Sequence, residues 1–407
     1  MVNGRIHTMD AHDTVNEALA VANGRILKTG TREEIEPLRG PATRMIDLAG
    51  RAVYPGFVDA AMHLYEAGAA LAPKGADEGR DRILDRVLRA VPAAGVTMLA
   101  AAETDAALAD RLLDLHRRGG LPVRVDVLLD ARGLPRDRYR PPGCPVHPNA
   151  RTLERSDAPA CPGPDLRMAG VSLPLDGDPA EGKAFLRDPY ANRPGVTGKP
   201  AVTADYLRQT LAEAARHGLP VALRAWGDAA VGMALDEVQK GKGPVRLEAP
   251  GLIADSDLDR LSKLKIPVVL FPSATSGLSG SPTSRLRLAA LGPNRLASRA
   301  ASLLRRGIRP AAGTGAPRYG PLNLLAAMAM ACRPGPEALT PPEALRLLTI
   351  DAARALGRNA EIGSLEPGKR ADLVILQEDP ARVSPEKWSD IRVDMTWMDG
   401  KATYTSK

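Results

Sequence analysis

Short apolar runs alternate with amphipathic segments along most of the chain. Segments with helical periodicity separate most of the runs, for example at 105–118 and 229–239, and a further one covers 342–356. Strand-type runs that alternate with helices predict an α/β fold, a TIM-type (β/α)8 barrel whose chemistry lies at the C-terminal ends of its strands. The runs begin with the one that contains Val53 and continue at 97–102, 122–129, 168–175, 220–226, 245–249, 267–271 and 309–314.

Both ends of the chain have a different pattern, with short strands and turns. Asn23-Gly24 between two apolar runs predicts a hairpin, and strand-like runs return at 373–376 and 395–401. We therefore expect a small β-sandwich domain built from residues 1–53 and 359–407, attached to a barrel over residues 54–358.

Two segments of the predicted barrel lack periodicity. Residues 131–165 are rich in proline and arginine, and residues 273–294 follow the seventh predicted strand. Long loops of this kind are typical of lids and specificity elements, so we expect both to lie over the barrel mouth.

Composition narrows the class of protein. The 407 residues are 44% hydrophobic, 3% aromatic and carry a net charge of +7, but the arginines are spread through amphipathic segments. This argues against nucleic-acid binding. Three cysteines (Cys144, Cys161, Cys332) are an odd number, which suits a reducing compartment, and no apolar run is long enough to span a membrane. We expect a cytoplasmic protein that needs no cofactor, acts on a small molecule and is compatible with a homodimer.

The stretch from Val53 to Leu64 reads as an apolar strand that ends in polar residues. Alternation along a strand would place Asp59, Ala61 and His63 on one face. Two imidazoles at positions 61 and 63 would suit a metal ion, but position 61 is alanine.

Several motifs resemble the amidohydrolase superfamily, in the branch that contains N-substituted formamide deformylase. The resemblance covers nearly the whole chain. Its most specific segments are Pro55-Gly56-Phe57-Val58-Asp59-Ala60, Ala225-Trp226-Gly227-Asp228 and the string Ile362-Gly363-Ser364-Leu365-Glu366-Pro367-Gly368-Lys369-Arg370-Ala371-Asp372-Leu373.

The resemblance implies a divalent metal centre that activates water against a carbonyl carbon. The metal-binding positions of the family match His63 and five other residues of different chemistry, so the ligand set is largely lost while the scaffold motifs remain. Hydrolytic zinc needs about three protein ligands, so we predict that the site holds no metal. The five other positions carry Ala61, Ser172, Arg224, Ala249 and Gly315.

Candidate catalytic residues are Arg224, His63 and Asp59. A guanidinium binds carboxylates or oxyanions through two hydrogen bonds, and an imidazole transfers protons near neutral pH. Arg224 could instead form a salt bridge with a barrel carboxylate such as Asp59, and His63 could be a structural remnant. The candidate substrate-binding residues are Trp226, Ser172, Asp176, Thr314, Arg318 and Tyr319.

Three hypotheses follow. The first is a metal-independent enzyme that performs isomerisation, elimination or cyclisation on a small anionic or carbonyl-containing molecule. The second is a catalytically silent binding or scaffold protein. The third is a metal-dependent hydrolase of carbon–nitrogen bonds whose ligands the motif comparison has missed.

Overall fold

The computed structural model describes residues 1–73, 79–132, 164–241, 243–275, 286, 289–291 and 298–406. Eight strands pair in parallel in chain order. Backbone hydrogen bonds from Gly315 to Ala61 and from His63 to Ala316 join the last strand region to the first. The predicted TIM-type barrel is confirmed. Its strands are β6 (Phe57–Met62), β7 (Val96–Thr104), β8 (Arg124–Asp130), β9 (Leu166–Pro174), β10 (Val221–Arg224), β11 (Val245–Glu248), β12 (Val268–Leu270) and β13 (Ala311–Ala312).

Helices follow most barrel strands and bury their apolar faces against them. Asp105 and Thr203 accept hydrogen bonds from the first turn of their helices, as good N-caps do. The predicted helix over 342–356 is in fact two helices. The helices are α1 (Arg32–Ile35), α2 (Leu64–Ala70), α3 (Arg80–Ala93), α4 (Ala106–Arg117), α5 (Ala204–Arg216), α6 (Asp228–Lys240), α7 (Asp255–Leu264), α8 (Pro272–Thr275), α9 (Ala300–Arg305), α10 (Leu324–Ala331), α11 (Pro341–Leu347) and α12 (Ile350–Ala355). Among the described helices, none is long and apolar enough to cross a membrane.

Strands from both chain ends form a six-stranded sheet. The strands outside the barrel are β1 (Arg5–His7), β2 (Val15–Asn16), β3 (Ala18–Ala22), β4 (Arg25–Gly30), β5 (Ala52–Pro55), β14 (Leu373–Leu376), β15 (Val393–Met398) and β16 (Lys401–Thr405). The order of the six-stranded sheet is β16-β15-β14-β5-β1-β2, and a two-stranded sheet of β3 and β4 packs beside it through Leu19, Ile26 and Val53. Asn23 and Gly24 both have positive φ, as the predicted hairpin turn requires.

The apolar run that begins at Val53 contains two strands rather than one. β5 belongs to the six-stranded sheet and β6 to the barrel. Gly56 lies between them, where a Cβ atom would stand 2.2 Å from the side chain of Thr97. The glycine therefore lets the chain pass from one sheet to the other at a point of close approach.

Buried ion pairs tie the C-terminal tail to earlier parts of the chain. Arg124 on β8 donates two hydrogen bonds of 2.9 Å to Asp372. Asp379 accepts hydrogen bonds from His7 and Tyr54. Arg–carboxylate pairs with two hydrogen bonds fix geometry well, so these contacts fix the tail against the barrel and the N-terminal strands.

The two predicted loops lie mostly outside the described residues. Of residues 131–165 the structure describes 131–132 and 164–165, and of residues 273–294 it describes 273–275, 286 and 289–291. Cys144 and Cys161 also lie outside, whereas Cys332 is a half-buried free thiol.

Candidate functional site

A carboxylate surrounded by arginines lies at the C-terminal end of the barrel. Glu103, the second-last residue of β7, forms an ion pair with Arg224 at the end of β10. Arg132 Nη2 donates to Glu103 Oε2 at 3.1 Å, and Arg318 Nη1 lies 3.9 Å from the same oxygen. We call Arg132, Arg224 and Arg318 the arginine cluster. Its members come from three different strand ends, which is where barrel enzymes place their chemistry.

Local backbone geometry fixes the position of Glu103. The residue has φ of 50°, in the left-handed region that only a few per cent of non-glycine residues adopt. Its N–H donates to Ser172 Oγ on β9 at 2.9 Å. The predicted binding residue Ser172 thus holds the backbone of Glu103. Backbone outliers of this kind concentrate at functional sites, where the surrounding structure must enforce them.

Arg132 and Arg318 each pair with a second carboxylate besides Glu103. Arg132 contacts Asp130, at 3.0 Å through Nε and 2.7 Å through Nη2. Arg318 pairs with Glu66 on α2. Arg224, by contrast, pairs with Glu103, and its buried Nε has no hydrogen-bond partner among the described residues.

His63 lies on the other side of Glu103. It is the residue just before α2, and its Nδ1 is 4.0 Å from Glu103 Oε1. The side chain is buried, and burial followed by the charges of Arg224 and Arg318 lowers the pKa of the imidazole well below its usual value. His63 is therefore neutral at physiological pH.

Two cavities meet at the arginine cluster. The larger, of about 1080 Å³, is lined by Arg224 together with Arg132, Arg318 and Tyr319. The smaller, of about 450 Å³, is lined by His63 and Glu103 and again by Arg132 and Arg318. The pair of Arg224 and Glu103 thus lies between the two cavities.

Asp59 lies away from this cluster. Its carboxylate accepts hydrogen bonds from the backbone N–H of Thr314 at 3.0 Å and from the hydroxyl of Thr314 at 2.5 Å. Burial raises the pKa of Asp59 to about 6. The carboxylate that pairs with Arg224 and lies 4.0 Å from His63 is Glu103, so the alternative salt bridge between Arg224 and Asp59 is not formed. The pairing register with β7 shifts between Asp59 and Met62, and the strand ends at Met62, so simple alternation does not reach His63.

Asp176 and the aromatic residues shape the larger cavity. Asp176 accepts hydrogen bonds from the backbone N–H groups of Trp226, Gly227 and Phe185, and burial raises its pKa to about 6. The Trp226 indole donates to the hydroxyl of Tyr319 at 3.3 Å. Of the predicted binding residues, Asp176, Arg318 and Tyr319 line the cavity together with Arg224, whereas Trp226 packs behind Tyr319.

The sequence prediction missed Glu103, Arg132 and Glu66. A usable signal was present for Glu103, because it directly follows the apolar run 97–102 at the end of a predicted barrel strand. Arg132 and Glu66 lie in a predicted loop and a helix, where charged residues are common, so their sequence positions carried no comparable signal.

The donor set of the described residues does not fit the divalent metal that the family resemblance implies. Among these residues there is no group of three or more His, Cys, Asp or Glu side chains that could hold a metal ion. Hydrolytic zinc requires about three such ligands. The carboxylates at the strand ends are paired with guanidinium groups, which remain protonated and have no lone pair to offer a metal.

The fold and the placement of the candidate site at the strand ends are those of a TIM-type barrel protein. The model of the amidohydrolase family matches residues 69–404, so the chain belongs to this family. It is 30% identical to an imidazolonepropionase of Maricaulis maris, over 94% of each chain.

Other similarities agree with this assignment. The chain is 29% identical to an N-substituted formamide deformylase of Arthrobacter pascens over 47% of its own length and 38% of the deformylase. The crystal structure of an uncharacterised metal-dependent hydrolase from Pyrococcus furiosus superposes with a TM-score of 0.81 at 21% identity, covering 94% of this chain and 99% of that one. At such low identity the superposition shows the shared fold alone.

Proposed function

We propose that the protein is an amidohydrolase-family enzyme that works without the family's metal centre and transfers protons on a small molecule with a carbonyl and an anionic group. The observation that carries this proposal is the position of His63 beside Glu103 and the arginine cluster at the mouth of a barrel. The same proposal includes the loss of the family's metal ligands at five positions, which carry Ala61, Ser172, Arg224, Ala249 and Gly315.

The tautomer of His63 follows from its neighbour. Glu103 Oε1 lies 4.0 Å from Nδ1, so a small movement of the carboxylate would bring it within hydrogen-bonding distance and hold the proton of the neutral ring on Nδ1. Nε2 then carries the lone pair and can act as a general base. A side chain lined up by a carboxylate in this way resembles the His–Asp part of a catalytic triad.

The reaction class needs no external reactant. Nε2 of His63 would remove a proton from the carbon next to the substrate carbonyl, and the electron pair would shift to the carbonyl oxygen as an enolate. A guanidinium of the arginine cluster would stabilise that negative charge. Return of the same proton to another carbon or to oxygen completes an isomerisation, with atoms and electrons conserved.

A specific observation supports a second candidate, a catalytically silent binding protein. Each arginine of the cluster already has a carboxylate partner, and the pair of Arg224 and Glu103 fills the space between the cavities. Such a network could simply stabilise the mouth of a barrel that has lost its chemistry.

Exchange of carbon-bound hydrogen in D₂O distinguishes these candidates from hydrolysis. We would incubate the protein with small 2-oxo and 3-oxo carboxylates and follow exchange by NMR. His63→Asn should slow exchange by about 100-fold or more, the usual contribution of a general base, whereas the exposed His12→Asn should not. Exchange should also continue in the presence of EDTA.

Three outcomes contradict the proposal. Exchange at the wild-type rate in His63→Asn would show that His63 is not the general base. Loss of activity with EDTA that zinc restores would favour the metal-dependent hydrolase. Binding without exchange for any compound of the panel would favour the silent binding protein.

The domain division forms part of the proposal. We take residues 1–53 and 359–407 as a separate β-sandwich domain and residues 54–358 as the barrel. The six-stranded sheet, which contains strands from both chain ends, supports this division. A small-molecule ligand, a homodimer and a cytoplasmic location likewise remain proposals.

A further inference from the structure

We infer that the arginine cluster is a carboxylate-binding subsite and that Glu103 is its built-in occupant, which a carboxylate of the substrate displaces. The inference rests on the proposed function for the presence of a substrate and adds its chemical class. It also assigns Glu103 as the residue that positions His63 once the ligand is bound.

Arg224 provides the first argument. Its side chain is 10% exposed, yet Nε has no hydrogen-bond partner among the described residues. Buried polar atoms are nearly always satisfied, so an unsatisfied one calls for an explanation. A guanidinium offers a planar fork that matches two carboxylate oxygens. Arg224 lines the larger cavity, so a ligand carboxylate that enters from there and displaces Glu103 would meet a guanidinium whose Nε has no other partner among the described residues.

The position of Glu103 provides the second argument. Its Oε1 contacts Arg224 on one side and lies 4.0 Å from His63 Nδ1 on the other. Both His63 and Glu103 line the smaller cavity. A rotation of the Glu103 side chain away from Arg224 therefore exposes the guanidinium and brings the carboxylate toward the imidazole, without movement of the backbone that Ser172 holds.

Charge provides the third argument. Around the cluster, Arg132, Arg224 and Arg318 are matched by Glu103, Asp130 and Glu66. A ligand that brings one negative charge replaces Glu103 on Arg224 and leaves Glu103 with Arg132 and beside His63. A neutral ligand cannot make this exchange, because it would leave Arg224 buried and unpaired. The subsite thus selects a carboxylate.

The test removes the Glu103 carboxylate and supplies acetate as a free carboxylate. In Glu103→Ala, acetate should raise the melting temperature saturably by about 3 °C or more beyond chloride at equal ionic strength, since it binds the folded state. Wild type, Glu103→Ala/Arg224→Met and Glu213→Ala should show no such effect. Glu213 pairs with the exposed Arg216, so its removal creates no buried subsite.

A second measurement keeps the inference testable if the alanine variant does not fold. Calorimetric titration with pyruvate should show that the isosteric Glu103→Gln binds it about tenfold more tightly than wild type, because the competing charge is gone. Equal affinity of the two proteins, or an acetate effect in Glu103→Ala no larger than that of chloride, would overturn the inference. Tighter binding in Glu103→Gln without any hydrogen exchange in wild type would leave the subsite standing and contradict only the proposed function.

Discussion

Energetic coupling between Arg224 and Glu103 is the most informative property of the site to measure. Both side chains are 10% exposed, and each belongs to a different strand end of the barrel. A double-mutant cycle with Arg224→Met and Glu103→Gln isolates their interaction, because each change removes one charge and preserves most of the side-chain volume.

The structure sets the size of the expected effect. Loss of one partner from a buried ion pair typically destabilises a protein by about 3–5 kcal/mol. Glu103 keeps Arg132 at 3.1 Å when Arg224 is removed, so we expect a loss of only about 2 kcal/mol for Arg224→Met. Glu103→Gln leaves Arg224 buried without its carboxylate, so we expect about 3 kcal/mol. The double variant should lose about 3 kcal/mol, which corresponds to a coupling of about 2 kcal/mol.

Urea unfolding followed by fluorescence and circular dichroism gives the four free energies of unfolding. The control cycle uses Arg32 and Glu36, an exposed pair on neighbouring turns at 3.5 Å, where we expect a coupling below about 0.5 kcal/mol. A coupling at the Arg224–Glu103 pair as small as that of the control would refute the buried ion pair on which the description of the site depends.

Further predictions concern the barrel around the site. Because the folded-state pKa of Asp59 is raised to about 6, its contribution to stability is fully present below its ordinary value near 3.8 and is lost as pH rises through 6. The unfolding free energy of the wild type should therefore fall by up to about 3 kcal/mol between pH 4 and pH 7 because of Asp59, and Asp59→Asn should abolish this fall. The same pH profile in the variant and the wild type would contradict this prediction. Gly315→Asp should destabilise the protein by more than about 2 kcal/mol, because a Cβ atom there would lie 2.5 Å from Tyr319 and 2.9 Å from Phe271. Gly307→Asp is the matched control, since Gly307 also has a positive φ but has open space around its Cβ position; equal destabilisation of both variants would show that crowding is not the cause.

Much of the barrel could be predicted from the sequence because parallel strands buried on both faces leave continuous apolar runs. All eight predicted runs overlap a strand of the barrel. The division at Gly56 could not be predicted, because it depends on the approach of Thr97, a residue from another strand. The break between α11 and α12 could not be predicted either, because the helical periodicity continues through it; there the carbonyl of Leu348 accepts a hydrogen bond of 2.8 Å from the N–H of Val58 on β6.

The candidate site was harder to predict than the fold. Arg224 and His63 were found because they occupy positions of a family motif. Glu103 has no such motif, and its role depends on a left-handed backbone conformation and on arginines far away in the sequence. Asp59 was predicted to share a face with His63, but a register shift between Asp59 and Met62 breaks the alternation on which that prediction relied.

Metal content of the purified protein tests the central claim most directly. Elemental analysis for zinc, iron, manganese and nickel should find less than about a tenth of an equivalent, since a folded protein without a ligand set retains no tightly bound metal. A Cys144→Ser/Cys161→Ser variant serves as the control for adventitious binding by thiols. Near-stoichiometric metal that persists in this variant would contradict the account and favour the metal-dependent hydrolase.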